Sequence, residues 1–126
     1  MAGERRNFVR IKKMITVDYK VVIDKFASTA VPADVTQTET ISGNGLTMML
    51  PKPLKNGERL EMDIELPDGG KKPVELEGEV IGSVKKGAGE YQIKVKFTDI
   101  NEQVRDRLIK YIFRENVKSG RKEKKK

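Results

Sequence analysis

Ile15-Thr16-Val17-Asp18-Tyr19-Lys20-Val21-Val22-Ile23 alternates apolar and polar side chains almost residue by residue. This is the period of a half-buried β-strand, because successive Cβ atoms of an extended chain point to opposite faces. Ile15, Val17, Tyr19, Val21 and Ile23 form one inward row. Downstream the same period returns in separate blocks. Val35 and Ile41 belong to a second, more polar strand, and Leu46, Met48 and Leu50 to a third. Leu60, Met62, Ile64 and Leu66 form a fourth; Val74, Leu76, Val80 and Val84 a fifth; Tyr91, Ile93, Val95 and Phe97 a sixth. The blocks break at Val31-Pro32-Ala33-Asp34, at Pro51-Lys52-Pro53 through Asn56-Gly57, at Pro67-Asp68-Gly69-Gly70 and at Lys86-Gly87-Ala88-Gly89. Connections this short imply antiparallel neighbours.

Six strands with one apolar face each must close or stack, since an open sheet leaves that face wet and its edges unpaired. The expected fold is all-β with a terminal helix: a six-stranded antiparallel barrel followed by one C-terminal α-helix. The period changes after Asp99, where Val104, Leu108, Ile109, Ile112 and Phe113 fall together on a helical face. Asn101 is the expected N-cap and Lys118, before Gly120, the expected end. The apolar stripe either plugs one mouth of the barrel or joins a second copy. Residues 1–13 form a leading arginine segment, 14–118 the barrel and helix, and 119–126 a basic tail expected to be disordered.

The 126 residues suffice for one domain with a core. The chain contains neither cysteine nor histidine, which removes disulfides, thiolate nucleophiles, imidazole bases and almost every zinc site. No acid–base or nucleophilic set is visible, so an enzyme is not expected. With no apolar run of membrane-spanning length and no secretory leader, the expectation is a cytoplasmic protein. The net charge is +7. Residues 1–13 and the segment from Ser119 to Lys126 each carry +4, which leaves the body at −1. A duplex binder spreads its basic residues over the folded body; here they sit at the ends, and no DNA or RNA partner is expected.

Glu4-Arg5-Arg6-Asn7-Phe8-Val9-Arg10 and the later Thr40-Ile41-Ser42-Gly43-Asn44-Gly45-Leu46 carry the functional signal. Arginine presents a planar fork that grips a phosphate or the O6/N7 edge of guanine through two parallel bonds. Glycines beside a serine let backbone N–H groups approach an anion. An extended segment sets Arg6 and Arg10 about 13 Å apart on one side, at ~3.3 Å per residue, a span that reaches separate parts of one dinucleotide. Alone, the arginines read as a solvated basic arm and Ser42 with Gly45 as a plain β-turn.

Taken together, the Arg-x-x-x-Arg of Arg6 and Arg10 preceded by Arg5, the Ser-Gly-Asn-Gly turn, the six β blocks and the terminal helix resemble a PilZ domain, from Glu4 to about Lys118. The resemblance implies a receptor for the bacterial second messenger cyclic di-GMP, coupled to a protein effector in motility, surface polysaccharide or biofilm control. It implies a ligand site of Arg5, Arg6, Arg10, Thr40, Ser42 and Gly45, with the arginine segment clamping, the serine hydroxyl touching ligand and Gly45 permitting the turn. No cofactor beyond that ligand is implied.

One position departs from the family pattern. Thr40 stands where the family carries Asp or Asn, and a hydroxyl cannot accept the paired bonds from guanine N1–H and its amine. One lost bond weakens a complex roughly tenfold, and strand alternation points the neighbouring Glu39 to the opposite face. Two other readings remain open at this point: an OB-type barrel that binds single-stranded nucleic acid, and a family member that has lost ligand and serves only in protein interaction. Asp63, Glu65, Glu75, Glu77 and Glu79 read as solvated strand faces.

Overall fold

The structure, a computed structural model, describes residues 9–22, 34–70 and 72–124. In chain order the elements are β1 (Ile11–Lys12), β2 (Thr16–Val22), β3 (Asp34–Ile41), β4 (Gly45–Leu50), β5 (Arg59–Ile64), β6 (Val74–Gly87), β7 (Glu90–Asp99) and α1 (Glu102–Lys124). Every strand pairing is antiparallel, in the order β3-β2-β5-β6-β7-β4, and β4 pairs back onto β3 to close a six-stranded barrel. The short β1 is an additional strand on β3. Ile23 of the first block and the break at Val31–Pro32–Ala33 lie outside the described residues.

Alternation makes the core. In β5, Leu60, Met62 and Ile64 are buried while Arg59 and Glu61 face solvent. Register then sets Met62 opposite Leu76 and Tyr19, and Ile64 opposite Val74 and Val17. Each fully buried apolar side chain of this size stabilises the fold by about 1.5–3 kcal/mol relative to exposure. Gly78 keeps the interior from overfilling: a Cβ there would lie 2.5 Å from Val95 Cγ1 and 2.9 Å from Met62 Cε.

Three expectations are corrected by β-bulges and helix rotation. Val35 is 61 % exposed, whereas Thr38 and Ile41 are buried. An extra residue in β3 between Thr38 and Thr40 shifts the register against β4 and reverses which parity faces in. A similar shift between Val80 and Gly82 turns Val84 out to solvent. On α1 the buried face is Leu108, Tyr111 and Ile112 with Val104 at its margin, not one that includes Ile109 or Phe113.

The helix is anchored as well as buried. Asn101 caps it as expected, its Oδ1 accepting from Val104 N at 2.8 Å. Arg107 grips Asp68 bidentately at 2.8 and 2.9 Å and donates a third bond to Lys72 O. That hydrogen-bonded guanidinium holds the Asp68 carboxyl down at about 2. The helix continues to Lys124, six residues past the expected end and into the basic segment expected to be unstructured. Arg, Lys and Glu are good helix formers, and cations suit a helix C-terminus. No helix among the described residues is long and apolar enough to cross a membrane.

Candidate functional site

The leading segment is stitched to β3 over its last residues. Ile11 pairs with Ile41 and Lys12 with Thr40, and Lys13 N donates to Glu39 O at 3.0 Å. Thr38 fastens the next turn of chain: its buried hydroxyl donates to Lys13 O and accepts from Ile15 N, while its own N–H donates to Ile15 O. The segment therefore runs straight into β2 along one edge of β3. A third fastening reaches the helix, where Lys13 Nζ lies 3.3 Å from Glu115. Burial alone would raise the Glu115 carboxyl, but the hydrogen bond and charge of Lys13, with Lys118, outweigh it and hold the group below its ordinary range.

This stitching delivers Arg10 to Thr40. The guanidinium donates to Thr40 Oγ1 at 2.9 Å across thirty residues of sequence. Thr40 Oγ1 in turn shares a 2.8 Å bond with Thr47 Oγ1, which also accepts from Thr40 N at 3.2 Å. Thr47 stands between Leu46 and Met48, both in the core, so this hydroxyl chain lies on the outside of the barrel wall. Lys94 faces Thr47 across the β4–β7 ladder, Lys96 faces Gly45, and Gln92 lies two residues along from Lys94. All three alternate with buried or half-buried neighbours and share that outer wall. Arg10, Lys94 and Lys96 make the face cationic, and Gln92 Nε2 donates to Glu39 Oε1 at 2.7 Å.

Beside this wall sits the β3–β4 turn. Ser42 N donates to Gly45 O at 2.8 Å and Asn44 N to Ser42 Oγ at 3.3 Å. The Ser42 hydroxyl donates to Asn44 Oδ1 at 2.7 Å and lies 3.2 Å from Gly45 O. It is 1 % exposed. The hydroxyl expected to meet ligand is thus used within the turn. Gly45 also has a different reason from the expected one. Its φ is not positive, and a Cβ there would sit 2.4 Å from Val95 O; glycine is required by the close approach of β7. The turn is held from both sides, by Phe97 N to Asn44 O at 2.9 Å and by Arg105 Nε of the helix to Gly43 O at 3.3 Å.

Of the six residues singled out from sequence, Arg10 and Thr40 are brought into contact, and Ser42 and Gly45 adjoin them. Arg5 and Arg6 lie outside the described residues. Sequence reasoning missed Thr38, Thr47, Gln92 and Arg105, since a threonine or glutamine in a strand and an arginine on a helix carry no signal of their own. It also misplaced Glu39, which joins Gln92 on the outer wall. Among the described residues no group of three or more acidic, histidine or cysteine side chains is placed to hold a metal ion.

The sequence matches the family model described as PilZ domain over residues 4–114. No curated protein sequence matches. Among solved structures, the chain is similar to Bacillus subtilis inhibitor of motility, MotI/DgrA, at a TM-score of 0.72 and 20 % identity, with 90 % of this chain and 52 % of that one covered. It spans about half the length of that protein. It is similar to the PilZ domain of YcgR from Escherichia coli with c-di-GMP at a TM-score of 0.60 and 17 % identity, covering 97 % of this chain and 98 % of that one. A third likeness is to the K. pneumonia MrkH–c-di-GMP complex, at a TM-score of 0.61 and 14 % identity over 91 % of this chain and 54 % of that one.

Proposed function

The chain belongs to the PilZ domain family, and from that premise we propose that it is a non-enzymatic receptor module for cyclic di-GMP, which it holds against the outer wall of β3, β4 and β7. The observation that carries this reading is the 2.9 Å bond from Arg10 to Thr40. It joins the arginine segment to the strand that leads into the glycine turn, beside Lys94 and Lys96. Two of the structural relatives are named as complexes with, or domains containing, c-di-GMP.

In this reading the cations of the wall meet the two phosphodiesters, and Arg5 and Arg6 close over the ligand from the preceding segment. Each charge-assisted bond contributes about 1.5–3 kcal/mol, and a micromolar complex needs roughly 8 kcal/mol net of ordering costs, so a few such contacts suffice. Thr40 serves chiefly to hold Arg10, and Ser42 to shape the turn. A ligand shifts a conformational equilibrium only through contacts made in one state. Ordering of residues 4–9 is the gain here, because residues 11–15 are already paired to β3 without ligand. The helix is tied to both halves of the site, through Lys13–Glu115 and Arg105–Gly43. It is therefore the element through which a protein effector would sense the change.

The test is a calorimetric titration of the protein with cyclic di-GMP, repeated with Arg6→Ala and Arg10→Ala, alongside amide exchange. Binding that both substitutions weaken, with protection gained over residues 4–9, supports the proposal. No heat at saturating messenger, with an intact fold, would leave the interaction-only reading. Oligonucleotide binding that falls steeply with salt would favour the nucleic-acid barrel instead.

A further inference from the structure

We infer that Glu39 is the carboxylate with which this chain reads guanine, a role that rests on the receptor reading above. Regular alternation would send Glu39 and Thr40 to opposite faces. The bulge prevents it: Thr38 and Ile41 are both buried, three positions apart, with the register shift between them. Both intervening side chains consequently stand on the outer wall. Thr40 bonds Thr47 there, and Glu39 accepts from Gln92, whose neighbour Ile93 fills the core.

Guanine presents two parallel donors, N1–H and the 2-amine, and the matching group is an acceptor pair in one plane. Thr40 cannot supply it, and its hydroxyl is already engaged by Arg10 and Thr47. Glu39 can. One carboxylate oxygen is held by the Gln92 amide at 2.7 Å, and the other has no hydrogen bond among the described residues. A carboxylate accepts about four bonds, so the Gln92 contact leaves capacity on both oxygens. That contact also fixes the side chain in place before ligand arrives, which lowers the ordering cost of binding. Glu39 is half-buried, so its bonds are partly shielded from competing water.

The experiment compares cyclic di-GMP with its inosine analogue, cyclic di-IMP, which keeps N1–H and lacks the 2-amine. Glu39→Gln preserves an acceptor for Gln92 but replaces one oxygen of the pair by a donor. The unaltered protein should bind the guanine ligand about tenfold more tightly than the inosine ligand, the worth of one such bond. Glu39→Gln should bring the two within about twofold by weakening the guanine ligand, with an unchanged melting temperature. Adding Thr40→Asp to Glu39→Gln should restore the preference. A Glu39→Gln protein that keeps the wild-type preference, or an unaltered protein that binds both ligands equally, overturns the role of Glu39 and leaves the receptor reading standing. An unaltered protein that binds neither ligand overturns the receptor reading itself.

Discussion

The barrel has two outer walls of opposite character. On β2, β5 and β6 the register lines up Asp18, Asp63 and Glu75 in one row and Lys20, Glu61 and Glu77 in the next. These carboxylates are relieved by little more than the 3.3 Å contact from Lys20 to Glu61. On β3, β4 and β7 the wall instead carries Arg10, Lys94 and Lys96 around a threonine pair. A body charge near zero therefore conceals a strong separation of charge. The polarity gives a dianionic guest one wall to approach and one to avoid, and like charges directly opposite one another cost stability where nothing binds. The two walls also differ in how they are held. A bidentate arginine–carboxylate pair ties the acidic side to the helix through Asp68, whereas the cationic side is tied by hydroxyls, carbonyls and the run-in of the arginine segment.

The sharpest way to break the contrast is Gly45→Ala. Its Cβ would meet Val95 O at 2.4 Å, so the cationic wall should lose about 2–3 kcal/mol in urea unfolding, while Glu75→Ala on the other wall changes stability by under about 0.5 kcal/mol. Next in size, Arg10→Ala should weaken cyclic di-GMP by about tenfold to a hundredfold, the worth of a charged hydrogen bond. Lys20→Ala, a cation on the acidic wall, should leave the affinity alone. A smaller effect concerns acid. Asp68 is depressed to about 2 by Arg107, below its ordinary unfolded value near 4. Its contribution is present above pH 4 and lost as pH falls from about 4 to 2. Asp68→Asn should accordingly flatten the fall of the melting temperature over that window. The smallest effect is expected from Glu61→Lys, which at about 0.15 M salt should alter cyclic di-GMP affinity less than twofold, because charges on the far wall lie beyond a Debye length of about 8 Å.

Much of this was legible from residue types alone. Leu60-Glu61-Met62-Asp63-Ile64 reads as a half-buried strand and is one, and Asn101 reads as a cap and caps. Arg10 and Thr40 were nominated from motif and spacing, and the fold brings them together. What escaped has a common cause. Thr38-Glu39-Thr40-Ile41 is indistinguishable from a regular strand until β4 is set beside it, because a bulge is a property of the pairing and not of one strand's composition. The error at Val35 and the misplacement of Glu39 both descend from that single residue. Tyr111 was missed for a related reason: the face of α1 that turns inward depends on where Asp68 and Lys13 meet Arg107 and Glu115, contacts made across the whole chain.

Residue-resolved amide shifts during titration with cyclic di-GMP test the central claim most directly. The account predicts progressive shifts at residues 10–12, 39–47 and 92–96, reaching saturation, with residues 18–20, 61–63 and 75–77 unmoved. Shifts concentrated on the acidic wall, or a spectrum unchanged at millimolar messenger, would contradict it.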